Sequence, residues 1–454
     1  MENKKNRNDL TTGTVWKKLL VFFLPIAAGT IIQQLYNTVD GLIVGRFVGT
    51  NALAAVGGSS AQIINVLVGF FVAMTSGASV IVGQIFGAGR KDDLRAVIGT
   101  SISALALFGV VLTAVGLTAS PWMLRILNTP EETMESAALY LRIYFLGVPF
   151  IMVLNMESGI LRAVGDSLHP FLYMIVGCVL NILLDIIFVY FFGWGVAGVA
   201  VATVLSQIAN MTLLTLKLTR TGEVYRVSFQ DLRIRPIYLS NMLRLGVPAG
   251  LQSSMYSVSN MIIQVAVNSL GTIVVASWAM SSKTDGLYWA FSNAMGAAIT
   301  GFIAQNHGAG KTDRVKQCVR QGLMIDTVMT IVLSTVLMVF GIPVLRILTA
   351  DPAVVETTYT IMSYFVPFYF TWILVEVLSA VLRGVGDAVR PVVIIGLGIC
   401  LFRVIWIATV FAHFGTLLSL CLSYEASWIL TSIALVIYYR KGTWMNRYRV
   451  LADK

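Results

Sequence analysis

Apolar segments, each at least as long as the roughly 20 residues that an α-helix needs to cross a bilayer, follow one another along almost the whole chain. They fall at 21–45, 53–86, 95–120, 134–160, 169–192, 195–217, 242–268, 273–304, 318–341, 355–381, 391–412 and 416–439. In hydrocarbon every backbone N–H and C=O must be bonded within the protein, which leaves only helices or a closed β-barrel. A barrel would read as alternating segments of about ten residues, whereas these runs are continuous. Only 12% of the residues are charged and 57% are hydrophobic, against about 25% charged in a soluble domain. The sequence therefore predicts an all-α integral membrane protein with twelve transmembrane helices. Several runs exceed the bilayer thickness, so tilt or extension beyond the lipid is expected.

The net charge of +10 would raise nucleic acid as a partner in a soluble chain. Here the basic residues sit between the spans. With the N-terminus placed inside, 26 of the 32 Lys and Arg fall on the inner side and only Arg46, Arg125 and Arg346 on the outer. That bias sets both termini in the cytoplasm of an inner-membrane protein and excludes nucleic acid as a partner. The basic N-terminus precedes an apolar stretch with no small-residue cleavage site, so 21–45 is expected to be a retained span. Cys178, Cys318, Cys400 and Cys421 form no CxxC pair, which points to neither a disulfide framework nor a zinc site.

The chain repeats itself. Gln84–Arg90 (QIFGAGR) recurs as Gln305–Lys311 (QNHGAGK), Leu124–Leu127 as Leu345–Leu348, and Leu161–Asp166 (LRAVGD) as Leu382–Asp387 (LRGVGD), all displaced by 221 residues. Six spans per half is an even number, so the halves enter from the same side and form parallel repeats about an axis along the membrane normal. The sequence divides into an N-terminal lobe (1–217), a basic cytoplasmic linker (218–241) and a C-terminal lobe (242–454). Two such bundles facing one another are the architecture of alternating access, with a substrate site between the repeats.

GAGKT at 308–312 is not a nucleotide loop, because the first glycine such a loop requires is Gln305. A tight turn with basic anchors accounts for it. The LRxVGD corners read as helix ends: Gly165 and Gly386 for a left-handed C-cap, Asp166 and Asp387 to cap the next helix, Pro170 and Pro391 in its first turn.

Charges within spans are costly in lipid and face the protein interior or a watery cavity. Asp40, Asp185, Lys283, Asp285, Asp326, Glu376, Arg403 and Glu425 are such residues, with Glu157 and Arg142 nearer span ends. Gln33, Asn37 and Asp40 share one helical face, with Tyr36 beside it. Asn181 and Asp185 are four apart, as are Thr203 and Gln207. Span counting puts Asp40, Asp185 and Thr203 at similar depth. Oxygen ligands of this kind suit a proton or a sodium ion, and neighbouring carboxyls bind and release protons as a unit. At the 221-residue offset Asn181, Asp185 and Thr203 become Phe402, Trp406 and Tyr424, so ion coupling is expected mainly in the first half. Tyr36, Met174, Tyr256, Trp278, Tyr288 and Trp289 could contact a flat organic cation.

LPIAAGTIIQQLYNTVDGLIVGRFVG, GQIFGAGRKDD, LRAVGDSLHP and NILLDIIFVYFFGWGVAGVAVATVLSQ, together with the repeated half, resemble the multidrug and toxic compound extrusion (MATE) family over nearly the whole chain. The resemblance implies a twelve-helix, V-shaped antiporter, with no cofactor, that exports cationic or amphipathic organic compounds in exchange for protons or sodium. A monomer in the lipid bilayer is the expected state. It also implies that Asp40, Asn181, Asp185 and Thr203 match a cation or proton site of the N-terminal lobe. Gln33, Tyr36, Asn37, Met174, Gln207 and Tyr256 are the candidate substrate contacts read from the residues themselves. The acid that another branch of the family uses on its seventh span is absent from 242–268. A flippase for lipid-linked intermediates is the rival reading, because Lys283 and Arg403 could meet a phosphate. An intramembrane enzyme is disfavoured: His169, His307 and His413 are scattered and no HExxH is present.

Overall fold

The computed structural model describes residues 9–442 and 444–447; the outermost residues of both basic tails, with their Lys and Arg, lie outside them. Twelve long helical units run in chain order: α1 Val15–Val48, α2 Thr50–Gly87, α3 Lys91–Ile126, α4 Glu131–Ala163, α5 Leu168–Phe191, α6 Gly195–Arg220, α7 Pro236–Ser269, α8 Thr272–Gly308, α9 Thr312–Leu348, α10 Pro352–Val385, α11 Val389–Phe414 and α12 Leu417–Lys441. Ten are long and apolar enough to cross a membrane; α7 and α8 have the length but a more polar composition. Their position explains this. α7 and α8 pack against α2 and α1 of the other half, so much of their surface meets protein instead of lipid.

The repeated corners fold alike. Gly165 (φ 91°) and Gly386 (φ 97°) take the left-handed conformation that ends α4 and α10. Asp166 caps α5: its Oδ1 accepts from the His169 backbone N–H at 3.2 Å and its Oδ2 meets His169 Nδ1 at 2.6 Å. Asp387 departs from expectation. Its Oδ2 accepts from Arg390 Nη1 at 3.0 Å and from the Tyr438 hydroxyl at 2.5 Å; the guanidinium and phenol, which the first repeat lacks, outcompete the backbone.

The halves meet through the repeated QxxGAG segments. Gln84 Nε2 donates to the Gly384 carbonyl at 2.9 Å, and Gln305 Nε2 donates to the Ala163 carbonyl at 2.7 Å. These are one bond made twice, since both partners obey the 221-residue shift. Gly87 lies against the Gln305 carbonyl and Gly308 against the Gln84 carbonyl, where a Cβ would overlap the partner backbone. Further along the same seam Gly77 abuts Gly246 and Gly250 abuts Phe70. Small residues at these points let the helices approach closely.

Two straps reinforce this end. Ahead of α1, the Leu10 N–H donates to Gln305 Oε1 at 3.2 Å, while Lys311 Nζ reaches the Thr11 carbonyl at 2.8 Å and Arg314 Nη1 the Gly13 carbonyl at 2.7 Å. The cations of the GAGKT turn are thus anchors for the N-terminal segment. Ahead of α7, Thr100 Oγ1 donates to the Arg233 carbonyl at 3.0 Å and Tyr238 donates to Asp93 at 2.5 Å, with Gly99 against the Asp231 carbonyl. Each strap leads into its own half's first helix but lies across the opposite half, and the hydrophobic clusters follow. Leu10, Val15, Leu19, Phe22 and Phe23 belong to the core built on α7–α12, whereas Tyr238, Met242 and Leu245 belong to the core built on α2–α4.

Candidate functional site

Within the first half, α1, α2, α4, α5 and α6 enclose a cavity of about 440 Å³. Gln33 and Tyr36 reach it from α1, Met174 and Cys178 from α5, and Ser206, Gln207 and Asn210 from α6. Four residues singled out from sequence, Gln33, Tyr36, Met174 and Gln207, therefore line one space. Asn37, on the same face one turn beyond Gln33, is exposed and does not line it. Tyr256 lines a different cavity in the second half.

The acid pair lies just beyond the cavity wall. Asp40 is one helical turn past Tyr36, and Asn181 and Asp185 are one and two turns past Gly177. Asp185, Asn181 and Thr203 are buried. The Asn181 amide donates to Asp185 Oδ2 at 2.9 Å and accepts from the Thr203 backbone N–H at 3.2 Å. This orientation is the one that satisfies both of its ends. Thr203 Oγ1 donates back to the Val199 carbonyl at 3.0 Å. The Asp40 and Asp185 carboxyls face one another within hydrogen-bonding range. One oxygen of each, Asp40 Oδ1 and Asp185 Oδ1, is buried without a donor. Immediately after Asp185 the chain changes to a π-helical stretch, Ile186–Phe191, and α1 does the same at Val44–Val48. Such turns leave the regular i→i−4 ladder and are common where a helix serves a site.

Sequence reasoning missed Tyr140, Tyr144 and Asn155 on α4 and read Arg162 as part of a structural helix corner. Tyr144, Asn155 and Arg162 border the cavity, and Tyr140 stacks on Tyr144 with ring centroids 6.1 Å apart. Their four- and seven-residue spacing on the fourth span was the available clue. Glu157 is buried on the same helix and accepts from Thr215 Oγ1 at 2.6 Å, a contact that serves helix packing.

The second half holds a cavity of about 580 Å³. Its walls are aromatic, and both Asp285 and Arg403 border it. Of the charges predicted inside these spans, Glu376 forms an ion pair, with Arg383 at 3.3 Å. Asp326 is buried on α9, whereas Lys283 is exposed on α8.

Residues 25–187 and 248–435 match the MatE family model. The chain belongs to the MATE family of multidrug efflux transporters. It is 29% identical over 441 residues to the probable multidrug resistance protein YoeA of Bacillus subtilis, covering 94% of each chain. It is 30% identical over 449 residues to the probable multidrug resistance protein YpnP of the same organism, covering 96% of this chain and 97% of the relative. The solved structure of an outward-facing multidrug resistance MATE family transporter of the MOP superfamily superposes with a TM-score of 0.89 at 23% identity, over 97% of this chain and 98% of that one. This MATE chain is thus a multi-pass membrane protein with transporters, not enzymes, as relatives. One matched block falls in each half of the chain.

Proposed function

We propose that this MATE chain is an antiporter that exports cationic or amphipathic organic compounds in exchange for protons, loaded at Asp40 and Asp185. The observation that carries the reading is the pair of facing carboxyls with two buried, donorless oxygens. A buried acceptor without a donor costs roughly 1–3 kcal/mol. One proton on the pair supplies the missing donor and removes the repulsion of two adjacent charges. Sodium is the other coupling ion that an acid cluster could take.

The cavity beside the pair is the substrate site, with Gln33, Tyr36, Met174 and Gln207 as contacts. Tyr36 links the two functions, because it lines the cavity and stands one turn from Asp40. Ionised acids favour a cationic substrate; the proton withdraws that charge and favours release. Exchange then follows from different affinities in two states of the lobes. Residues 1–217 and 242–454 act as those lobes, joined by 218–241. The protein works as a monomer in the cytoplasmic membrane with both termini inside.

The test is purified protein in liposomes, following ethidium under an imposed pH gradient without sodium. Gradient-driven dye movement that Asp40→Asn and Asp185→Asn each abolish is the expected result. Movement driven by a sodium gradient alone would replace the proton by sodium. Full activity in both variants would remove the site.

A further inference from the structure

We propose that the cavity of the second half is a second binding site, one that takes the anionic group (carboxylate, sulfonate or phosphate) of an aromatic or amphipathic molecule, with Arg403 as its counter-charge. Arg403 is only 4% exposed, yet it borders the 580 Å³ cavity. Its Nε donates to Ser427 Oγ at 2.9 Å, and its guanidinium carbon lies 3.8 Å from the centre of the Tyr424 ring. Those two contacts fix the plane of the fork. Among the described residues no carboxylate oxygen stands within 4.0 Å of it, and neither terminal nitrogen has a protein acceptor.

Arginine stays protonated under all ordinary conditions, so this is a buried, permanent charge without an ion-pair partner, a costly arrangement unless something compensates it. Tyr424 supplies part through its π face. Asp285 borders the same cavity; its Oδ2 accepts from Ser281 Oγ at 3.4 Å and its Oδ1 has no hydrogen-bond partner. Glu425 is buried on α12 with neither oxygen hydrogen-bonded. Neither carboxylate stands within 4.0 Å of the Arg403 nitrogens, so both leave its two terminal nitrogens open. That open fork matches the paired oxygens of a carboxylate, sulfonate or phosphate.

The walls define the rest of the ligand. Trp278, Trp289, Trp372 and Trp428 surround the space, with Trp289 edge-on to Trp372 at 5.1 Å between centroids. Their faces and edges suit a planar ring system, and the volume is that of a drug-sized molecule. Irregular helix geometry marks this site as it marks the acid pair: π-helical stretches Gly396–Leu401 and Ile407–Phe411 flank Arg403 on both sides. The inference does not depend on proton coupling at Asp40 and Asp185.

The test is tryptophan fluorescence of the purified full-length protein titrated with naphthalene-2-sulfonate, with naphthalene-2-sulfonamide as the uncharged isostere. Saturable quenching by the sulfonate, at least about tenfold tighter than by the sulfonamide, is expected from a charge-assisted bond. Arg403→Gln should erase that difference while keeping sulfonamide binding, which also verifies that the variant is folded. Arg403→Lys should keep part of the difference, and Asp285→Asn should tighten the sulfonate by removing a nearby acid. Equal binding of the two probes by the unaltered protein overturns the proposal, as does sulfonate binding that is indifferent to Arg403→Gln or, should that variant not fold, to both Arg403→Lys and Asp285→Asn. Adding phosphatidylglycerol to the titration identifies the source of the anion. Displacement of the sulfonate assigns the site to a lipid phosphate, and no displacement assigns it to a soluble organic acid.

Discussion

The two cavities lie in related parts of the two repeats but differ in the charged groups placed in and beside them. In the first, α5 presents Asn181 and Asp185 beside Asp40; in the second, the corresponding helix α11 presents Arg403, which stands at the position of Ile182. Thr203 and Gln207 of α6 become Tyr424 and Trp428 of α12, and Asp40 becomes Met261. The seam between the halves behaves in the opposite way, for there Gln84 and Gln305 make the same bond across it. At the seam each repeated segment meets the copy of itself in the other half, so a change on one side must fit the other. The cavities are lined by residues of their own half and are freer to diverge.

The largest effect should come from breaking the charge contrast. Asp185→Asn is expected to lower pH-driven export at least about tenfold, the scale of one buried charged hydrogen bond, whereas Glu425→Gln in the second half should change it less than about threefold. Comparable losses in the two variants, measured in the same liposomes, would show that coupling is shared between the halves. Next in size is the close approach at the seam. Gly87→Ala and Gly308→Ala each place a Cβ on a partner carbonyl, and each should cost roughly 1–3 kcal/mol as overpacking. Thermal unfolding should lower the two variants alike; a clear difference would mean that the seam is symmetric in shape but not in energy. Smallest is the loss of one glutamine. Gln84→Ala strands the Gly384 carbonyl, and Gln305→Ala strands the Ala163 carbonyl and the Leu10 N–H, each lost bond being worth roughly 1 kcal/mol. The pair should show coupling in a double-mutant cycle read by cross-linking between α2 and α8.

Much of this was legible in advance. The spans, the 221-residue repeat and the glycine corners rest on local chemistry, and local chemistry is what a sequence displays. Gln33, Tyr36, Met174 and Gln207 could be grouped because helical spacing puts residues on faces. The failures have equally physical causes. Asn37 shares a face with Gln33 but lies a turn further along α1 and does not line the cavity. Tyr256 belongs to a helix whose cavity is formed by its own half, which spacing along one helix cannot reveal. Lys283 sits in an apolar run, yet it is exposed on α8, which spacing along one helix cannot foretell. Asp387 resembles Asp166 in every local respect, and only Arg390 and the distant Tyr438 make it different. The repeated QxxGAG segments told us that two places are built alike. That the two copies hold each other required the tertiary structure.

The straps carry a consequence for how the chain is made. A ribosome delivers residues in order, and domains fold as they emerge. The strap ahead of α7 meets Thr100 and Asp93, which were synthesised long before it, so the first bundle can be completed as soon as that linker emerges. The strap ahead of α1 has no such luck: Leu10, Thr11 and Gly13 dock on Gln305, Lys311 and Arg314, some 300 residues younger. That early segment can therefore dock only after α8 and α9 have been made.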